Sequence, residues 1–376
     1  MSVIESERFP LTEEMEEAFV VDVDFHFRAP VEKLLPYIRS DVVKRNLKIT
    51  GFPPTTSYWF PGYATPMGEG GLEAHGTVED GEDIVEVMEA MGIDMPILTP
   101  GYNKLPDSQY PLMKTEIAMA YNDYIIEEVL PTHENIKAVG LIPQWDPELA
   151  AEEVRRVGDE EDIVGMYGFF GHYDLLGNKE YDELFTELVD RDLPLALHGG
   201  GTANWNQKDP IGQSLRTWSC AYGLVHPVRA IMMTGNMIMT GVFDKFPELQ
   251  VAMIEGGVNW VPFVGQRLDE MYQDHPEDIQ MTERMHEMGQ VYLDKLPSEY
   301  IDENFSFSSQ PMSIPKNPRH FEATLEMINA KENLLFATDF PHYTTELHNW
   351  TFEHSAIDEE LREQILSKNA ERVFRI

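Results

Sequence analysis

Apolar residues fall along the chain in short runs, and most runs are followed by a stretch whose apolar positions recur at helical spacing. The runs 20–27, 94–100, 136–143, 163–170, 193–201, 249–257, 304–309 and 333–339 read as buried strands. Helices are predicted over about 30–45, 82–92, 112–131, 147–158, 180–191, 224–243, 260–272, 319–329 and 358–374. A stripe of methionines on the 224–243 helix (Met232, Met233, Met237, Met239) reads as core filler. The acidic, Met-rich segment 274–290 offers no clear core face. Strands alternating with helices argue for a parallel α/β fold. Eight such units in one chain of 376 residues, with no linker to divide it, predict a single (β/α)8 TIM-type barrel spanning 1–376.

One interruption stands out. Residues 46–80 carry Pro, Gly and aromatic clusters without periodicity, which predicts a long cap or loop insertion after the first strand. Tyr58, Trp59 and Phe60 within it are candidates for a lid over substrate, or for a loop packing on its own domain.

Composition narrows the setting. Hydrophobic residues make up 42% and aromatic residues 11%, enough for a sizeable core. No apolar run reaches the ~18 residues of a membrane helix, and the acidic N-terminus does not read as a secretory signal. The single cysteine, Cys220, excludes an internal disulfide and cysteine-built zinc sites, and fits a reducing cytoplasm. Against 28 Lys and Arg stand 66 Asp and Glu, a formal charge of −38 spread along the chain. Such self-repulsion is tolerable where salt screens it, so the expectation is the salt-rich cytoplasm of a halophilic organism. Nucleic acid and anionic membranes are excluded as partners; a small molecule is expected instead.

The chemistry sits where strands end. In Val20-Val-Asp-Val-Asp-Phe-His-Phe27, residues two apart share a face, so Asp22, Asp24 and His26 point one way. Either these groups bind backbone and neighbours, or a divalent ion satisfies them. His198 closes the fifth strand, Glu255 the sixth and Asp339 the eighth. All strands of a parallel barrel end on one face, so Asp24, His26, His198 and Asp339 converge there as a mixed N/O set suited to Zn²⁺, Mn²⁺ or Fe²⁺.

These residues carry a resemblance. Asp22-Val-Asp-Phe-His26, Leu197-His-Gly, the run from Gly241 to Phe263, Arg267-Leu-Asp-Glu and Phe336-Ala-Thr-Asp-Phe-Pro-His342 resemble the amidohydrolase-related family. The likeness is to the amidohydrolase 2 branch, which includes aminocarboxymuconate-semialdehyde decarboxylase-like enzymes, and it extends over residues 20–375. It implies one divalent ion per chain, zinc first and manganese or iron as alternatives. Asp24, His26, His198 and Asp339 take the ligand positions, and Asp339 and Glu255 the catalytic ones. Glu255 stands where many decarboxylases of the branch have His. The expected activity is metal-dependent hydrolysis of a small carboxylated substrate. Non-oxidative decarboxylation is the alternative, and a metabolite-binding pseudo-enzyme the second alternative. Family habit also implies a homo-oligomer. Further substrate or supporting candidates are His172, His226, His342, Arg216 and Trp59. For His226 a structural role at a helix terminus competes, and for Arg216 an answer to local acids.

Overall fold

The computed structural model describes residues 11–50, 78–101, 105, 110–171, 175–199, 217–342 and 344–376. Its centre is one parallel sheet of eight strands in chain order: β1 (Val21–Phe27), β2 (Met95–Pro100), β3 (Lys137–Leu141), β4 (Ile163–Phe169), β5 (Leu195–His198), β6 (Val251–Ile254), β7 (Phe305–Ser308) and β8 (Leu334–Leu335). β8 is shorter than the predicted 333–339, yet the chain beyond it closes the ring against β1. Val23 N donates to Phe336 O at 3.1 Å, Asp339 N to Asp24 O at 3.0 Å and His26 N to Phe340 O at 2.8 Å. The architecture is therefore the expected (β/α)8 barrel. Its strands are almost wholly buried, as continuous apolar runs in a helix-covered parallel sheet should be.

The outer layer comprises α1 (Asp41–Thr50), α2 (Gly81–Met91), α3 (Pro111–Tyr124), α4 (Pro147–Val157), α5 (Asp182–Asp190), α6 (Trp218–Met239), α7 (Val261–Asp274), α8 (Pro297–Asn304) and α9 (Pro318–Met327), with a closing helical run over 359–374. Local chemistry sets several boundaries. Asp80 and Asp146 accept from backbone N–H groups in the first turns of α2 and α4. Gly92 ends α2 in the left-handed conformation at φ 64°.

Some predicted elements shift. The helix expected over 30–45 is broken into Val31–Leu34 and α1, and α1 continues helical through 50, into the stretch read as loop. Residues 51–77 of the predicted insertion, with Tyr58, Trp59 and Phe60, lie outside the described residues. α3 widens into a π turn over Ile125–Val129 instead of continuing regularly to 131. The segment 274–290 does have a core face: Ile279, Arg284 and Met285 are buried. Arg284 is fixed by the Asp182 carboxylate and by the carbonyls of Gly177, Asn178 and Thr240, which satisfies its charge. α8 was not predicted. In the methionine stripe, Met233 and Met237 are core residues and Met239 is partly buried, but Met232 faces outward.

Candidate metal centre and active site

β1 brings the first two donors. Asp22, Asp24 and His26 are all buried, yet their roles diverge. Asp22 is used up structurally: Oδ1 accepts from Asp24 N and Thr338 N, each at 3.0 Å, and Oδ2 accepts from Thr338 Oγ1 at 2.5 Å. Burial raises its carboxyl to about 7, against the pull of the Thr338 hydroxyl. Asp24 and His26 are instead held by Thr99 of β2. The Thr99 hydroxyl donates to Asp24 Oδ1 at 2.9 Å and lies 3.1 Å from His26 Nδ1. With its one proton given to Asp24, the hydroxyl can only accept from His26. That fixes Nδ1 as the protonated nitrogen and leaves the Nε2 lone pair turned to the barrel axis.

The other donors arrive from the far side of the ring. His198 ends β5, and its Nε2 lies 3.5 Å from Asp24 Oδ2. His26 Nε2 lies 3.6 Å from Asp24 Oδ1 and 3.2 Å from Asp339 Oδ1. Asp339 follows β8 with φ 59°, a left-handed conformation costing on the order of 1–3 kcal/mol that persists because its surroundings dictate it. His342 Nδ1 sits 2.5 Å from Asp339 Oδ1, and Thr344 Oγ1 donates to Oδ2 at 2.7 Å.

Donor atoms of Asp24, His26, His198 and Asp339 all fall within 4.8 Å of one another, and all four residues are buried. Among the described residues, Asp24 Oδ2, His26 Nε2 and both ring nitrogens of His198 have no hydrogen-bond partner, although buried polar atoms are normally paired. The groups point at a common centre rather than at each other. Protonation favours the same reading. Burial pushes His198 down to about 3 and lowers His26, so both imidazoles are neutral and their lone pairs free. Burial raises Asp24 to about 6; burial also opposes ionisation of Asp339, but the neighbouring His342 counters it and that carboxyl is held below the ordinary range. Two carboxylates and two neutral imidazoles are a fit for a divalent cation.

Around this centre stands a second set. Glu255, just beyond β6 at φ 55°, donates its backbone N–H to Ser308 Oγ at 2.9 Å. Its Oε2 lies 3.4 Å from His198 Nε2 and 3.5 Å from His226 Nδ1. His226, on the first half of α6, is buried against the end of β5: a Cβ on Gly199 would meet its ring at 3.0 Å. Burial pushes His226, like His198, down to about 3. So the structure brings together Asp24, His26, His198, Glu255, Asp339, His226 and His342. His172, Arg216 and Trp59 lie outside the described residues. Thr99 escaped the sequence reading because threonine in a strand looks like a β-former, and only its register opposite His26 reveals it; Thr344 shows itself only in its contact with Asp339.

Comparison with known proteins agrees with this geometry. A sequence model of the family described as Amidohydrolase matches residues 21–376. Among curated proteins, the chain is similar to the γ-resorcylate decarboxylase of Rhizobium sp. (strain MTP-10005), 24% identical over 310 residues, which is 78% of this chain and 86% of that protein. Among solved structures it resembles a 2,6-dihydroxybenzoate decarboxylase complexed with 2,6-dihydroxybenzoate, with TM-score 0.67, 20% identity, and coverage of 96% of this chain and 100% of that one. It also resembles the 5-carboxyvanillate decarboxylase of Novosphingobium aromaticivorans, complexed with manganese and 4-hydroxy-3-methoxy-5-nitrobenzoic acid. There the TM-score is 0.69 at 20% identity, covering 98% of this chain and 99% of that one. At such identities the structural likeness establishes the fold.

Proposed function

This chain belongs to the amidohydrolase family, and on that premise we propose that it is a metal-dependent non-oxidative decarboxylase of a small hydroxylated aromatic acid. The reading rests on one observation above the others: a buried two-carboxylate, two-imidazole centre at the strand ends, in a chain whose curated relatives are named decarboxylases. The alternative drawn from sequence is favoured over the hydrolytic reading, because the curated relative and the two solved structures named above are decarboxylases by name.

Asp24, His26, His198 and Asp339 would hold the ion. Bound there, a divalent cation supplies Lewis-acid polarisation and charge neutralisation for an oxyanionic substrate. For its identity we propose zinc, the first choice from sequence, with manganese, present in a solved neighbour, as the competing outcome.

The protein's own groups supply the proton. Decarboxylation breaks the bond between ring carbon and carboxylate, CO₂ leaves, and the electron pair left on carbon takes up one proton. Two carboxyl groups stand at the centre to carry it. Asp339 is tied through Oδ1 to His342, whose side chain is 27% exposed and connects the buried carboxylate to the outside. Glu255 lies between His198 and His226, and its Oε2 would carry the proton from the opposite side.

Protein purified in molar salt and loaded in turn with Zn²⁺ and Mn²⁺ should release CO₂ from 2,6-dihydroxybenzoate or 5-carboxyvanillate. In D₂O it should place deuterium on the carbon that lost the carboxylate. His198→Ala and Asp339→Asn should lose both the metal and the CO₂. Cleavage of an ester, lactone or amide with no CO₂ from any hydroxybenzoate would return the assignment to hydrolysis. A wild type that takes up no metal would rule out both reactions.

A further inference from the structure

Beside the atoms of the metal donors, one more buried polar atom without a partner lies just beyond the C-terminal end of a strand among the described residues: Oε1 of Gln310. Gln310 follows β7 by two residues and is fully buried. Half of its amide is already committed. Nε2 donates to the Thr344 carbonyl at 3.2 Å, and only the nitrogen of the amide can make that bond, so the remaining atom is the oxygen. A buried amide oxygen with no donor opposite it is costly, and folded proteins rarely leave one so unless something else supplies the donor.

The position of Gln310 says where that donor comes from. β7 stands between β6 and β8 in the sheet, so its end lies between Glu255 and Asp339. Phe307 turns outward, with its ring 5.7 Å from that of Trp260 at the head of α7, and alternation then puts Ser308 on the inward side. The Ser308 hydroxyl accepts from Glu255 N at 2.9 Å and donates to the Gln310 carbonyl at 3.1 Å. Thr344, whose carbonyl holds the Gln310 amide, donates from Oγ1 to Asp339 Oδ2 at 2.7 Å. Gln310 is thus fastened on one side to the backbone of Glu255 and on the other to the residue that braces Asp339. Both fastenings use its other polar atoms and leave Oε1 unspent. They also fix the amide before any ligand arrives, as a group that reads a ligand requires.

The acceptor dictates its partner's chemistry. A carboxylate oxygen only accepts and cannot satisfy Oε1, whereas a hydroxyl on an aromatic ring can. We propose that Gln310 Oε1 accepts a hydrogen bond from a ring hydroxyl of the bound aromatic acid and thereby selects substrates that carry one. The proposal rests on the reading of the site as one for a hydroxylated aromatic acid, and it adds which wall of the barrel the hydroxyl faces.

Binding without turnover tests it. In 2-nitroresorcinol a nitro group stands in for the carboxylate and cannot leave as CO₂; its dimethyl ether keeps both ring oxygens and loses their protons. By calorimetry on metal-loaded protein in molar salt, wild type should prefer the dihydroxy compound by at least about tenfold. Gln310→Met, of similar length without the oxygen, should cut that preference at least about fivefold at equal metal content. Loss of the Thr344 contact alone would weaken both compounds alike and leave the preference intact. Should that variant fail to fold, Gln310→Asn, which withdraws the oxygen by one methylene, should cut the preference too. A wild type without the preference would overturn the proposal with no variant needed, and so would a substituted protein that keeps it. CO₂ release from 2,6-dihydroxybenzoate is scored separately. Its absence, alongside a preference that Gln310→Met removes, would fail the decarboxylase reading and leave the role of Gln310 standing.

Discussion

Thr99 does more than its size suggests. One hydroxyl orients both β1 donors and selects the imidazole tautomer that exposes Nε2. Thr99→Val, nearly the same shape, should weaken metal affinity by about 10–100-fold while Thr99→Ser retains it, as read by competition with a chelating dye. The donors themselves were legible in the sequence because a polar residue closing an apolar run is conspicuous, and His26, His198 and Asp339 each do so. Thr99, Thr344 and Ser308 were not, since their roles depend on which atoms face them across the ring. Glu346, outside the four donors, offers a pH test. Burial raises its carboxyl from 4.5 to about 7, against a hydrogen bond from the Met312 backbone. Between those values the native state keeps a proton that the unfolded chain has released, so stability falls as pH rises through that window. Glu346→Gln should flatten the change in Tm between pH 4.5 and 7; an unaltered slope would refute the assignment.

At the scale of elements, the seam between β1 and β8 is the informative one. Sequence periodicity located both strands, but it could not show that Asp22, which shares a face with Asp24 and His26, is the clasp that joins them. Thr338→Val leaves Asp22 Oδ2 buried without its partner and should cost about 1–3 kcal/mol in urea unfolding. The shifts elsewhere have similar causes. Segment 274–290 looked faceless because the partner of Arg284 is Asp182, far away in sequence. α6 misled for the opposite reason: an apolar residue on a helix announces burial, yet Met232 faces outward.

For the whole molecule, (β/α)8 architecture followed from counting alternating units, and the barrel bears that out. Among the described residues no helix is long and apolar enough to cross a membrane. The charge of −38 is the feature that the fold leaves unabsorbed, and we propose a salt-rich cytoplasm as its setting. Screening lengths shrink from about 10 Å at 0.1 M to about 3 Å at 1 M salt, so the protein should gain thermal stability steeply across that range. A melting temperature indifferent to salt would sink this reading.

The clasp has a consequence in time as well as in space. Asp22 and Thr338 are 316 positions apart, and the metal donors straddle the same divide. During synthesis the ribosome must deliver nearly the whole chain before Asp339 can meet Asp24 and His26. A nascent fragment ending short of β8 already carries three of the four donors on strands with an open seam. On the proposed assignment, the full set of four donors is therefore assembled only when the barrel closes.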